Sequence, residues 1–75
     1  MPAKSAANQA LGDAIRAARE KAGHTQEAFA AKADLDRSYY GAIERSQFNL
    51  SLDTIVKIAD ALDMTAAELL KRAGI

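Results

Sequence analysis

The sequence lacks several residue types on which whole classes of protein depend. Its 75 residues include no cysteine, which excludes disulfides and thiolate metal sites and allows a reducing compartment. A single histidine, His24, leaves too few groups for a catalytic or metal centre, so we expect no enzyme, no cofactor and no small-molecule ligand. No apolar run reaches the length of a signal peptide core or a membrane span. The sequence therefore predicts a soluble, non-enzymatic protein of the cytoplasm.

The chain also lacks a net charge, because ten Lys and Arg residues balance ten Asp and Glu residues. Residues 1–47 carry seven basic against six acidic side chains, and residues 48–75 carry three against four. Domains that bind nucleic acid are usually basic. Any affinity for DNA must therefore come from where the charges are placed, and it should be modest and sensitive to salt.

Helical patterns extend along most of the chain, and the alternation typical of strands is absent. We predict an all-α fold in which residues 8–75 form one domain and residues 1–7 form a flexible N-terminus, since nothing apolar holds them. Thr25, Asp36, Ser51 and Thr65 are the predicted N-caps, and two glycines mark helix ends. The predicted helices run from Asn8 to Ala22, from Thr25, from Arg37 to about Arg45, from Ser51 and from Thr65.

Two of the four aromatic residues, Tyr39 and Tyr40, stand side by side near the start of the third helix. Neighbouring helical positions lie about 100° apart, so only one of the two can face the core. If Tyr40 does so, Tyr39 is left to contact something else. The connection at Asp34 and Leu35 is too short for an antiparallel helix pair, and it predicts a helix-turn-helix.

The segment TQEAFAAKADLDRSYYGAIERS resembles the helix-turn-helix of the Cro and phage-repressor proteins, the Xre family. This resemblance implies a compact five-helix domain like that of the lambda repressor. The segment LDRSYYGAIERSQFNLSLDTIVKIADAL is similar to the controller proteins of restriction-modification systems, which read L-x-R-[ST]-Y-[IV]-x-x-I-E-R followed by R-N-x-S. Two positions depart from the pattern. Ser46 replaces a glycine expected to set the loop, and Phe48 replaces an arginine expected to bind phosphate.

The resemblance implies a sequence-specific DNA-binding transcriptional regulator. Arg37 and Ser38 open the recognition helix, where side chains reach base edges in the major groove. Gln26 clamps a phosphate, in keeping with the anion-binding start of its helix, and Tyr39 offers its ring to a thymine methyl group. A structural ion pair between helices one and three is also implied, and its partners are Arg19 and Glu44. The further phosphate contacts implied are Arg45, Gln47 and Asn49.

A homodimer is expected because one recognition helix reads too few base pairs for useful specificity. The last two helices carry more apolar residues than so small a core can bury. The predicted interface residues are Leu52, Val56, Met64, Leu69, Leu70 and Ile75.

Two other functions are compatible with the same fold. A protein-interaction module that has lost DNA binding would explain the zero net charge, whereas the separation of Gln26 and Arg37 is that of the DNA-binding members. An antitoxin would also bind DNA, but it usually has an additional segment that covers the toxin. A regulator of this size would act by occupying a double-stranded operator, by contacting RNA polymerase, or by both.

Overall fold

The computed structural model describes residues 5–75, and these residues form five α-helices without a strand. The predicted all-α class is confirmed. The first helix begins two residues earlier than predicted, because Ser5 Oγ accepts a hydrogen bond from Asn8 N at 3.0 Å and caps it. The first four residues of the predicted flexible N-terminus lie outside the described residues, and Ala6 and Ala7 are helical. The helices are α1 (Ala6–Lys21), α2 (Gln26–Lys32), α3 (Arg37–Glu44), α4 (Leu52–Ala61) and α5 (Ala66–Arg72).

Both ends of every helix are defined by local chemistry. At each start, a side-chain oxygen accepts a hydrogen bond from a backbone N–H in the first turn, an interaction typically worth about 1 kcal/mol. The capping residues are Ser5, Thr25, Asp36, Ser51 and Thr65. After each end, the chain leaves the helix through a residue with positive φ, which redirects the backbone. These residues are Gly23, Asp34, Ser46, Asp63 and Gly74.

The core contains one large and fully buried side chain from each helix. The five are Ile15, Phe29, Tyr40, Ile58 and Leu69. Leu69 was predicted to lie in a dimer interface, and this prediction is wrong. Its side chain is 0% exposed, because α5 packs on α1 and α4 and directs Leu69 between them.

A close approach of α1 to the end of α3 depends on Gly12. A Cβ atom at this position would lie 2.9 Å from the backbone oxygen of Ile43 and 2.6 Å from Ser46 Oγ. Ser46 itself is buried and has a φ of 60°. The serine therefore adopts the left-handed conformation for which a glycine was expected, and the end of α3 stays packed against α1.

The connection between α2 and α3 produces the predicted helix-turn-helix. Asp34 has a φ of 58°, and Leu35 N donates a hydrogen bond to Ala30 O at 2.8 Å, which closes the turn. Ala30 is 1% exposed, so its small side chain lets the helices approach. Across the pair, the rings of Phe29 and Tyr40 lie 5.1 Å apart, centre to centre. The turn and this aromatic contact fix the direction of α3.

Candidate nucleic-acid interface

The start of α2 and one face of α3 enclose a shallow polar hollow. Its lining consists of Gln26, Arg37, Ser38, Gly41 and Arg45. Four of these residues were predicted to contact DNA, and the structure brings all four to one surface. The fifth, Gly41, leaves space for the others, because a Cβ atom there would lie 3.2 Å from Arg45 Nη1 and 3.6 Å from Gln26 Oε1. The hollow thus presents two guanidinium groups, a hydroxyl and an amide.

The two arginines of the hollow are exposed and lightly restrained. Arg37 Nε lies 3.9 Å from a carboxylate oxygen of Glu27, and both side chains are mostly in solvent. Arg45 Nη2 donates a long hydrogen bond of 3.4 Å to Gln47 Oε1. An exposed ion pair such as Arg37–Glu27 contributes about 0–1 kcal/mol, and a hydrogen bond as long as 3.4 Å is weak. Both guanidinium groups can therefore exchange these partners for an anionic ligand at little cost.

A buried carboxylate fixes the orientation of the Gln26 side chain. Its Nε2 atom donates a hydrogen bond to Glu44 Oε1 at 3.0 Å. A carboxylate only accepts hydrogen bonds, so the amide nitrogen must face Glu44. This orientation leaves Oε1 on the side of the hollow and one N–H free to donate. Gln26 can therefore both donate to a phosphate and accept from a base edge.

Glu44 is the centre of a buried hydrogen-bond network that includes the predicted ion pair. Arg19 Nε and Nη2 donate to its two oxygens at 2.6 and 3.1 Å, and the Tyr40 hydroxyl donates to it as well. Arg19 Nη1 donates to the backbone oxygen of His24 at 2.8 Å, which ties the loop before α2 to α1. Among residues 5–75, no buried side-chain nitrogen or oxygen lacks a partner.

The network shifts the protonation equilibria of its members. Burial alone would raise the pKa of the Glu44 carboxyl, but the hydrogen bonds from Arg19, Tyr40 and Gln26 outweigh burial and lower it. The hydrogen bond to Glu44 raises the pKa of the Arg19 guanidinium despite its burial. Burial, together with donation to Glu44, raises the pKa of the Tyr40 hydroxyl. At neutral pH the carboxylate and guanidinium are both charged, and the phenol is neutral.

The adjacent tyrosines are divided between the core and the surface. Tyr40 is fully buried, as expected, and packs on Phe29. Tyr39 is only partly buried, and its ring lies 5.5 Å from that of Phe48, centre to centre. Sequence reasoning identified Phe48 only as a missing positive charge and did not predict this contact. The sequence signal for this contact was an aromatic residue in the loop with polar neighbours on both sides, Gln47 and Asn49.

The loop after α3 carries the other predicted contacts. Gln47 and Asn49 are exposed, and Asn49 Oδ1 accepts a hydrogen bond from Asn8 Nδ2, which joins the loop to α1. The backbone N–H groups of Ser46 and Gln47 donate to Ile43 O and Ala42 O at 2.9 and 3.0 Å. The loop is therefore anchored at both ends although Ser46 replaces the expected glycine.

The predicted dimer residues fall into three groups. Leu52, Val56 and Ile75 are 68%, 41% and 60% exposed, and the first two lie one turn apart on α4. Met64 and Leu70 are partly buried and pack against the core. Leu69 is inside the core. An exposed apolar stripe therefore remains on α4, but it is smaller than the predicted patch.

Residues 5–75 contain neither a cluster of metal-binding side chains nor a helix that could span a membrane. No three His, Cys, Asp or Glu side chains there come close enough together to hold a metal ion. None of the five helices combines the length and apolar character needed to span a bilayer.

Known proteins are similar to this chain in sequence and in fold. A family described as "Helix-turn-helix" matches residues 15–69, and this range contains the turn and every residue of the hollow. The chain belongs to the helix-turn-helix family. It is a DNA-binding transcriptional regulator of the Xre type, as predicted.

Controller proteins of restriction-modification systems are among its relatives. The chain is 47% identical to control protein C.MunI of a Mycoplasma species over 51 residues. This alignment covers 68% of this chain and 69% of the relative. It is 42% identical to control protein C.BamHI of Bacillus amyloliquefaciens over 61 residues, and that alignment covers 80% of this chain and 75% of the relative. The crystal structure of the controller protein C.AhdI from Aeromonas hydrophila superposes with a TM-score of 0.83 at 43% identity, over 87% of this chain and 98% of that one. The predicted resemblance and the five-helix fold are confirmed, and the family consists of non-enzymatic transcriptional controllers.

Proposed function

We propose that the protein is the controller of a restriction-modification system, and that it binds a double-stranded operator as a homodimer with α3 in the major groove. The similarity to C.MunI, C.BamHI and C.AhdI supports the controller assignment. Because its target is DNA, we also propose a cytoplasmic location. Occupying the operator and contacting RNA polymerase are the two routes by which a domain of this size would regulate.

The observation that carries the proposal is the convergence of Gln26, Arg37, Ser38 and Arg45 on one hollow. Arg37 and Ser38 occupy the first turn of α3, which in helix-turn-helix proteins contacts base edges. Arginine is the commonest reader of guanine, through two hydrogen bonds to O6 and N7. Gln26 and Arg45 line the same hollow and have free donors for phosphate oxygens, and such contacts fix the register of a protein on the duplex.

A chain with no net charge would gain DNA affinity and specificity by presenting two copies of this surface in a dimer. One recognition helix distinguishes few base pairs, whereas a symmetric dimer places two at a fixed separation. The exposed Leu52 and Val56 on α4 support an interface there, since soluble monomers rarely leave apolar side chains grouped in water. We propose that this stripe, with Ile75 and the partly buried Met64 and Leu70, forms the dimer contact.

DNA binding is tested by fluorescence anisotropy on a duplex selected from a random pool and on a scrambled duplex. Arg37→Ala should abolish the preference for the selected duplex, and Gln26→Ala should weaken binding to both duplexes about equally. Lys32→Ala is the matched control, because it removes an exposed charge that lines a different hollow, with Lys57 and Asp60. A preference that survives in Arg37→Ala would contradict the role of α3.

Dimerisation is tested by sedimentation equilibrium at micromolar concentration. Leu52→Glu should give a folded monomer with reduced operator affinity, since the residue is 68% exposed and makes little contribution to the core. Ala17→Glu adds the same charge to the exposed face of α1 and should leave the dimer intact. A monomeric wild type that binds its operator tightly would contradict the proposed interface.

A further inference from the structure

Tyr39 and Phe48 form an aromatic pair at the edge of the candidate interface. Their ring centres are 5.5 Å apart and the planes are inclined at 54°, a favourable tilted arrangement. Phe48 is nevertheless 49% exposed. The pair therefore offers an apolar surface to solvent beside a group of charged and polar side chains.

The helical geometry of α3 places this pair on a defined flank. Successive residues are about 100° apart, so Tyr39 lies to one side of Ser38, and Arg37 lies to the other. Gly41 and Gln26 are on the side of Arg37. The surface around Ser38 consequently has a hydrogen-bonding flank and an apolar flank.

We propose that Tyr39 and Phe48 together contact the C5-methyl group of a pyrimidine in the major groove, and that Phe48 is a specificity-determining residue. The inference rests on the proposed function, because it requires α3 to lie in the groove. The C5-methyl group is the apolar feature that base pairs display there. A phenylalanine ring has no charge or donor for a phosphate, so an apolar contact is the one it can make. Thymine and 5-methylcytosine carry the same group at the same position.

The test compares duplexes that differ by single methyl groups. A duplex selected from a random pool is prepared with each thymine replaced in turn by deoxyuridine, and separately with each cytosine replaced by 5-methyldeoxycytidine. Dissociation constants are measured by fluorescence anisotropy. Wild type should bind about fourfold more weakly for each contacted methyl removed, which corresponds to the burial of one methyl group.

Three variants assign the effect to the aromatic pair. Phe48→Ala should remove the methyl sensitivity, whereas Tyr39→Phe should retain it, because the ring remains when the hydroxyl is lost. Gln47→Ala alters the residue beside Phe48 and should weaken binding to thymine and uracil duplexes equally. Thermal melting verifies that all three variants are folded.

The outcomes separate this inference from the proposed function. A wild type that selects no duplex contradicts both. A selected duplex whose methyl sensitivity is absent, or is unchanged in Phe48→Ala, overturns the inference alone. Sensitivity at a thymine supports thymine as the base contacted, and stronger binding to one 5-methyldeoxycytidine duplex, lost in Phe48→Ala, supports 5-methylcytosine.

Discussion

Gln26 donates its side-chain amide to Glu44 at 3.0 Å, so a residue of the candidate interface is oriented by a carboxylate of the core. The same carboxylate accepts hydrogen bonds from Arg19 in α1 and from Tyr40. One buried charge therefore connects the stability of the fold with the geometry of the surface that meets DNA.

Breaking the buried ion pair between α1 and α3 should cost far more stability than breaking the exposed ion pair within α1. Arg19→Met leaves Glu44 buried without its main partner and should lower the free energy of unfolding by about 3 kcal/mol. Arg16 supplies the control, because it pairs with Glu20 at 3.6 Å with both side chains more than half exposed. Arg16→Met should change the free energy by less than about 0.5 kcal/mol. Urea unfolding measures both, and equal losses would contradict the account.

The network also predicts a specific dependence of stability on pH. The pKa of Glu44 is lower in the folded state than in the unfolded chain, where it is about 4.3. Its contribution is therefore fully present above that value and is lost as the pH falls through the folded pKa. Glu44→Gln cannot titrate in this range. The difference in unfolding free energy between wild type and Glu44→Gln should shrink below about pH 4, and a constant difference would contradict the assignment.

Two glycines should respond in opposite ways to alanine. Gly41→Ala should raise stability by up to about 1 kcal/mol, because glycine is unfavourable inside a helix and the nearest atom is the flexible end of Arg45. It should also weaken DNA binding, since the methyl group crowds the Arg45 guanidinium at 3.2 Å. Gly12→Ala should lower stability, because its Cβ meets the backbone oxygen of Ile43 at 2.9 Å. Thermal melting measures the stability of both variants, and fluorescence anisotropy measures the DNA binding of Gly41→Ala. A Gly12→Ala variant as stable as wild type would contradict the close approach of α1 to α3.

Local features of this fold could be predicted from the sequence, because capping residues and the short turn act on their own neighbours. The caps at Thr25, Asp36, Ser51 and Thr65 all lie where they were expected. Burial was harder to assign, since Leu69 and Leu70 are adjacent and only the packing of α5 decides which one enters the core. The Tyr39–Phe48 contact joins a helix to a loop nine positions later. No periodic pattern predicts such a contact.

The central claim, that a dimer reads DNA through α3, is tested most directly by selecting duplexes from a random pool with the wild-type protein. The account predicts an enriched sequence with two inverted half-sites about one helical turn apart, roughly 10 bp centre to centre. The same selection with Arg37→Ala should yield no common sequence. A single unpaired site, or no enrichment by the wild type, would contradict the claim.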